Sequence, residues 1–217
     1  MNELKNNIMI EAKNTLTGNP ALINSGFDSP PDNPLVLLKD WFKQAENLKI
    51  VEARAMVLST VNVDHKPSNR VVLITNFEDG IVFGTHEESR KGREIANNPY
   101  VAGNLFWRET MQQINFQGII SQLSDEESDC EFAKRIPEAQ AVTVCATPSA
   151  PMLDEIQLKK LVQDLLKQKK IDRPQKWHLY QIKLEHIEFW VGSQDRFHQR
   201  LRYDLINNIW QHQRLQP

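Results

Sequence analysis

From Pro34 onward, apolar residues return at Leu35, Leu38, Phe42, Ala45 and Leu48. That spacing lays one stripe along a helix and predicts an amphipathic segment over 34–49 with its stripe against a core. Asn33 stands where a side-chain oxygen can cap free N–H groups. Pro34 takes the first helical turn, where a missing N–H costs nothing. Past residue 52 the chain changes character. Runs rich in β-branched and aromatic residues, "ARAMVLSTVNV", "RVVLIT" and "IVFGTH", are split by the turn-forming "DHKPSN" and "FEDG", which predicts three strands in an antiparallel meander. Further strands are expected at "YVAGNLFW", "MQQINFQGIISQL", "WHLYQIKL", "HIEFWV", "RFHQRLRYD" and "IWQHQRL". A sheet of that many strands tends to curl into a barrel, which removes its edges.

Helices interrupt the strands. "SRKGREIANNP" opens on Ser89 as N-cap and stops at Asn98-Pro99, and "SDEESDCEFAKR" carries a Ser124-x-x-Glu127 capping box. "LDEIQLKKLVQDLLKQKK" repeats apolar residues near every 3.6 positions. The expected fold class is α+β, an antiparallel barrel with peripheral helices. The Gly-, Pro-, Asn- and Ser-rich stretch at 17–34 reads as irregular, so the division expected is an N-terminal segment over 1–33 and one folded domain over 34–217.

One polar pattern stands apart. In "DRFHQRLRYD", Arg196, His198, Arg200 and Arg202 take alternate positions. On a β-strand they would share one face while Phe197, Leu201 and Tyr203 share the other. Such a face is either a solvated edge that discourages association or a receptor for an anion.

Composition narrows the field. With 217 residues and 40% hydrophobic content, the chain suits one globular domain with a substantial core. A formal charge of −2 argues against a dedicated nucleic-acid binder. No run approaches bilayer length and the start of the chain lacks a signal-peptide apolar region, so a cytoplasmic protein without membrane association is expected. Cys130 and Cys145 lack C-x-x-C spacing and are expected as free thiols. The six histidines form no metal-ligand pattern, and there is no Walker loop, G-x-G-x-x-G, G-x-S-x-G or H-E-x-x-H. Any phosphate must therefore be held by side chains.

The stretch best suited to that task is "THEESRKGRE", where Thr85 ends a strand and Ser89, Arg90 and Lys91 open a helix. Free N–H groups, the positive end of the helix dipole and two cations suit a phosphate monoester, although the same residues also make an ordinary solvated helix face. Arg70 offers a third cation one hairpin earlier. The acid pairs Glu87-Glu88 and Glu126-Glu127 sit at turns or helix starts, where solvated charge is ordinary.

Together, "NPLVLLKDWFKQA", "RVVLIT", "FGTHEESRKGREIANNP", "MQQINFQG", "IEFWVGSQDRFHQRLRYD" and the terminal "RLQP" resemble the pyridoxamine 5′-phosphate oxidase family of FMN-binding split barrels, from about Pro34 to Pro217. The resemblance implies a split barrel, FMN as cofactor, and a site built at a homodimer interface from both chains. It assigns to FMN the side chain of Arg70 and the backbone of Val71, Val72 and Leu73. It sets Thr85, Arg90 and Lys91 around the phosphate, and Gln113, Trp190 and Arg200 around the remainder of the flavin. Where the family commonly has Gln-Ser touching the flavin, this chain reads Pro148-Ser149, which leaves Ser149 as the candidate there. For Trp190 the ordinary alternative is a core aromatic, and the resemblance favours the cofactor role. Arg196 and His198 match the R-x-H pair that faces the substrate, whereas Arg202 receives no role.

The vitamin B6 enzymes of the family hold their substrate phosphate with a Lys, a Tyr, an Arg and a Ser. The corresponding positions here read Thr75, Glu131, Arg135 and Ala139, so only the arginine remains. "WRETMQQI", "THEESRKGRE" and "RLRYD" look most like the phenazine-biosynthesis branch, whose flavin oxidases act on reduced tricyclic precursors bearing carboxylates. The implied function is an FMN-dependent oxidoreductase for hexahydro- or tetrahydrophenazine carboxylates, with dioxygen as acceptor. Arg196 and His198 would meet a carboxylate and a ring nitrogen. Aromatisation drives such an oxidation, so no catalytic acid or base is assigned, and His198 is the titratable group to test. Two alternatives stay open: a pyridoxine or pyridoxamine 5′-phosphate oxidase with a rearranged clamp, and a non-catalytic flavin-binding split barrel.

Overall fold

The computed structural model describes residues 18–217. Helix α1 (Pro34–Asn47) starts as its sequence predicts, with Asn33 Oδ1 accepting from Leu35 N at 2.9 Å. Its buried stripe is Leu37, Leu38, Trp41, Phe42 and Ala45, and Leu48 is exposed at the C-cap. The stripe is rotated from the expected one because Trp41, the largest side chain on the helix, goes fully inside and meets Phe189 edge-on, 5.0 Å between ring centroids.

The sheet has eight strands: β1 (Ala55–Val61), β2 (Pro67–Leu73), β3 (Ile81–His86), β4 (Tyr100–Trp107), β5 (Gln112–Gln122), β6 (Trp177–Val191), β7 (Gln199–Ile206) and β8 (Ile209–Leu215). Their order is β2-β1-β4-β5-β6-β7-β8, and β3 pairs with β6. The expected meander is cut short. β1 and β2 form a hairpin, but β3 forms no ladder with β2: just past the end of β2, Thr75 and Asn76 bridge to Val82, and β3 pairs with Trp177–Ile182. That bridge joins the two free edges and closes β1 to β6 into a barrel, which satisfies more backbone than a flat meander could.

The strands expected at 177–184 and 186–191 form a single 15-residue strand, β6, whose register with β5 shifts between Gln117 and Gly118. A bulge of this kind bends a strand. Beyond it, β6 leaves β3 and pairs with β7, so the first half of the strand serves the barrel and the second half carries the β7–β8 extension. Inside, Leu58, Gly103, Phe116 and Ile187 oppose one another in one buried row. Gly103 is required there, since a Cβ would lie 1.9 Å from the Phe116 ring. Each fully buried Leu, Ile or Phe of this core contributes about 1.5–3 kcal/mol relative to exposure.

Helices α2 (Arg90–Asn97) and α3 (Asp125–Ala133) carry the predicted caps, including the reciprocal Ser124–Glu127 box. Helix α5 (Glu155–Leu165) was expected, whereas α4 (Pro137–Cys145) was not. Trp177, Phe132 and Ala141 form a second, smaller core beneath these helices. The irregular segment is tied down from residue 18: Phe27 stacks on Trp41, Trp41 Nε1 donates to the Ser25 carbonyl at 3.1 Å, and Tyr203 Oη donates to the Pro31 carbonyl at 2.9 Å. Burial, and then Asp32, push the Tyr203 hydroxyl up to about 12. The earlier part of that segment lies outside the described residues. Cys130 and Cys145 are free, and no helix among the described residues is long and apolar enough to cross a membrane.

The alternating cations do not form one comb. Because β7 begins at Gln199, only Arg200 and Arg202 stand on the strand. Arg196 sits in a turn at φ +69°, and Phe197 is thrown outward, 76% exposed, instead of joining buried Leu201 and Tyr203.

Candidate functional site

Strand β3 ends at His86 and the chain turns through Glu87–Ser89 into α2. Ser89 Oγ accepts from Gly92 N at 3.1 Å and donates to the His86 carbonyl at 2.8 Å. The turn is tight enough that a Cβ on Gly92 would lie 2.3 Å from the Glu87 carbonyl oxygen. It brings the start of α2 beside Thr85 and Arg70. Lys91 Nζ donates to Thr85 Oγ1 at 3.2 Å. Arg70 donates to Thr60 Oγ1 and Ser68 Oγ, both at 2.6 Å, and to Glu94 Oε2 at 3.1 Å. Arg90 Nε donates to Glu94 Oε1 at 2.9 Å.

Arg70 and Arg90 thus meet on a carboxylate, Glu94, that sequence reasoning missed, while Lys91 stands beside them on Thr85. The only local sign of Glu94 is the i,i+4 spacing from Arg90, which usually marks a surface pair. Glu94 is only 5% exposed. Burial pushes its pKa up, but hydrogen bonds from Thr60, Ser68, Arg90 and Arg70 outweigh that and bring it down to about 2. Lys91 responds in the opposite sense, held below its ordinary value by burial and then by the Arg70 guanidinium. Counted as three cations and one carboxylate, the group carries a formal charge of +2. Ser149, at φ +70°, reaches the same place: its Oγ accepts from Arg90 N at 3.1 Å. Val71, Val72 and Leu73 continue β2 from Arg70, with Val71 and Leu73 exposed.

A second group lies across the sheet. Phe106, Gln113, Trp190, Arg200 and Leu215 oppose one another on β4 to β8, and residues in register share a face. The His198 ring lies 4.9 Å from Trp190, centroid to centroid. Arg200 grips Glu188 with Nε at 2.7 Å and Nη2 at 2.9 Å, a fork that raises its pKa. Ser193 N donates to His198 Nδ1 at 3.0 Å, so the neutral ring carries its proton on Nε2. The loop bearing Arg196 is also tied internally, by Arg196 N to the Ser193 carbonyl at 3.2 Å and Phe197 N to Asp195 Oδ1 at 2.9 Å. Arg202 is held by Asp204, which also meets His186 at 2.8 Å.

These two groups face opposite sides of one sheet. Arg70 is in register with Leu58, in the buried row, whereas Trp190 belongs to the alternate, outer set. At the altered clamp positions, Thr75 and Glu131 line a cavity of about 340 Å³ together with Glu78, Asp79, Glu127 and Lys134. Arg135 donates to Thr143 Oγ1 at 3.3 Å and lies 5.3 Å over the Trp177 ring, while its Nε is buried without a hydrogen-bond partner. Burial lowers the Arg135 pKa, and the nearby charge of Glu131 works against that. Ala139 contributes a backbone carbonyl to Thr143.

Residues 42–190 match the pyridoxamine 5′-phosphate oxidase family, and residues 177–217 match the pyridoxine 5′-phosphate oxidase C-terminal dimerisation region. The chain is 35% identical over 193 residues to a dihydrophenazinedicarboxylate synthase of Pseudomonas chlororaphis, covering 88% of this chain and 87% of the relative. It is 37% identical over 191 residues to a pyridoxine/pyridoxamine 5′-phosphate oxidase of Hydrogenovibrio crunogenus, covering 86% and 89%. The crystal structure of PhzG from Burkholderia lata 383, in complex with tetrahydrophenazine-1-carboxylic acid, superposes with a TM-score of 0.89 at 33% identity, covering 92% of this chain and all 100% of that one. An FMN-binding protein of Nostoc punctiforme, 17% identical with a TM-score of 0.67 and covering 79% and 91%, shares the fold. The chain therefore belongs to the pyridoxamine 5′-phosphate oxidase family, and with it to the flavin-dependent oxidoreductases.

Proposed function

We propose that the protein is an FMN-dependent oxidase of reduced phenazine carboxylates, hexahydro or tetrahydro, with dioxygen as electron acceptor. The observation that carries this reading is the altered clamp. Where the vitamin B6 oxidases place a lysine, a tyrosine and a serine, this chain has Thr75, Glu131 and Ala139, and Glu131 stands near enough to Arg135 to act on its charge. A phosphate dianion would meet a carboxylate there. A singly charged carboxylate asks for less of such a site. The likeness to PhzG over its whole length supports the same substrate class.

The site fits the cofactor. The +2 cluster at the start of α2, with the hydroxyls of Thr85 and Ser149, suits a phosphate monoester dianion, and the sequence has no dinucleotide fingerprint. When bound, FMN supplies a two-electron sink: the substrate gives up a hydride from a ring carbon and a proton, and dioxygen takes the pair as hydrogen peroxide. The chain orients the partners. Arg70, Arg90 and Lys91 anchor the phosphate, the backbone of Val71, Val72 and Leu73 follows the flavin, and Gln113, Trp190 and Arg200 complete its surroundings. Because these sets face opposite sides of one sheet, a homodimer supplies both to each site. Arg196 holds the substrate carboxylate. His198, with Nδ1 taken by Ser193 N–H, offers its Nε2 proton to a ring nitrogen as a donor and is poorly set to act as a base.

The second reading, oxidation of pyridoxine 5′-phosphate, is favoured by one feature, the retained Arg135. Oxygen uptake with a dihydro- or tetrahydrophenazine carboxylate beside pyridoxine 5′-phosphate separates the two. A preference for the phenazine is expected, and a preference for pyridoxine 5′-phosphate would reject the proposal.

A further inference from the structure

We infer that Glu94 is a positioning residue for the cofactor phosphate: it aims Arg70 and Arg90 at one point and trims the charge of the cluster to match a dianion. The inference rests on the reading of this cluster as the FMN phosphate site. Arg70 comes from β2 and Arg90 from α2, and they meet on different oxygens of the same carboxylate, Oε2 at 3.1 Å and Oε1 at 2.9 Å. Glu94 therefore bridges two elements. Thr60 and Ser68 complete the arrangement, since each hydroxyl accepts from Arg70 and donates to Glu94 Oε2. With a further donation from Arg70 Nη1 to the Leu58 carbonyl at 3.4 Å, the contacts of this circuit hold the Arg70 guanidinium in place.

Arg90 is held differently. Only its Nε is engaged with Glu94, its side chain is 58% exposed, and its Nη groups make no hydrogen bond among the described residues. Those donors remain for a ligand. Charge points the same way, because Arg70, Arg90 and Lys91 offset by one ionised carboxylate give +2, equal and opposite to a phosphate monoester above its second ionisation near pH ~6. With a pKa of about 2, Glu94 keeps its charge throughout the range in which the ligand is a dianion.

A carboxylate beside a phosphate site could act in two opposite ways. As a plain competitor for the arginines it would weaken phosphate binding, and its removal would tighten it. As a positioning group its removal loosens the arginines and weakens binding of phosphate alone. The test strips flavin from the full-length protein and titrates it with FMN and with riboflavin, which lacks the phosphate, following flavin fluorescence in wild type and Glu94→Gln. We expect wild type to prefer FMN, and Glu94→Gln to lose about tenfold to a hundredfold in FMN affinity, the scale of one charge-assisted hydrogen bond, with riboflavin affinity nearly unchanged. Tighter FMN binding by Glu94→Gln would overturn the inference, as would an equal loss for both flavins, which marks a structural role. A wild type indifferent to the phosphate would overturn the site reading beneath it. Should Glu94→Gln not fold, Ser68→Ala keeps the carboxylate and removes one contact of the circuit, and a smaller loss confined to FMN is expected.

Discussion

Glu94 also fixes how the empty protein answers acid. Its folded pKa, about 2, lies below the ordinary carboxylate value of 4.5. A depressed carboxylate stabilises the fold above the ordinary value, and that contribution is lost as pH falls through the folded one. The melting temperature of wild type should exceed that of Glu94→Gln fully at pH 6, and the gap should close steadily between pH 4.5 and 2; a gap that widens on acidification would contradict the assignment. Among the ligand-facing residues, Arg90→Ala should weaken FMN by about 1.5–3 kcal/mol. Arg196→Ala should impair oxidation with FMN still bound, while Arg200→Ala loosens the flavin. Oxygen uptake and flavin content, measured on the same preparations, decide this, and identical behaviour of the last two variants would return them to a solvated edge. Arg90 and Lys91 could be singled out in the sequence because a capped helix start sets them a few residues after Thr85, and Arg70 lies one hairpin earlier on β2. Glu94 could not be, since its burial depends on Thr60 and Ser68, 34 and 26 positions away.

At the level of elements, local signals were read well and long-range ones poorly. Helices α2 and α3 begin where their caps predicted, because capping is decided within four residues. Helix α4 escaped notice: Ile136 gives no side-chain cap, and "PEAQAVTVC" mixes β-branched residues into a helix whose formation follows from packing of Ala141 into the second core. The pairing of β3 with β6 was also hidden, because adjacency in sequence favours pairing of neighbours and nothing local says that a barrel will close. The same reasoning makes Ser89 the sensitive point of the site. It is fully buried, caps α2 and holds the turn that aligns Thr85 with Lys91. Ser89→Ala should cost about 1–2 kcal/mol in denaturant unfolding and lower flavin affinity with it. Unchanged stability would mean that the turn is held by other contacts.

At the scale of the whole molecule, the two groups of residues assigned to the proposed site face opposite sides of the sheet, and the proposal therefore requires a partner. The outer face that bears Gln113 and Trp190 also exposes Val57, Val71, Leu73, Tyr100, Phe106 and Ile119 on adjoining strands. A patch of that kind is unfavourable in water and marks an interface. The C-terminal dimerisation region, residues 177–217, covers β6 to β8 next to it. Burying this face against a second copy would bring the outer row of one barrel toward the cationic cluster of the other, which is the arrangement that a planar ligand with a phosphate tail needs. Light scattering should therefore report a homodimer. Phe106→Asp, which sets a charge into the centre of the apolar face in register with Gln113, should weaken the dimer by about 2 kcal/mol or more. Under the shared-site proposal, flavin should leave in the same concentration range in which the subunits separate. A Phe106→Asp monomer that keeps full FMN occupancy would show that one chain suffices, and the shared site would have to be abandoned.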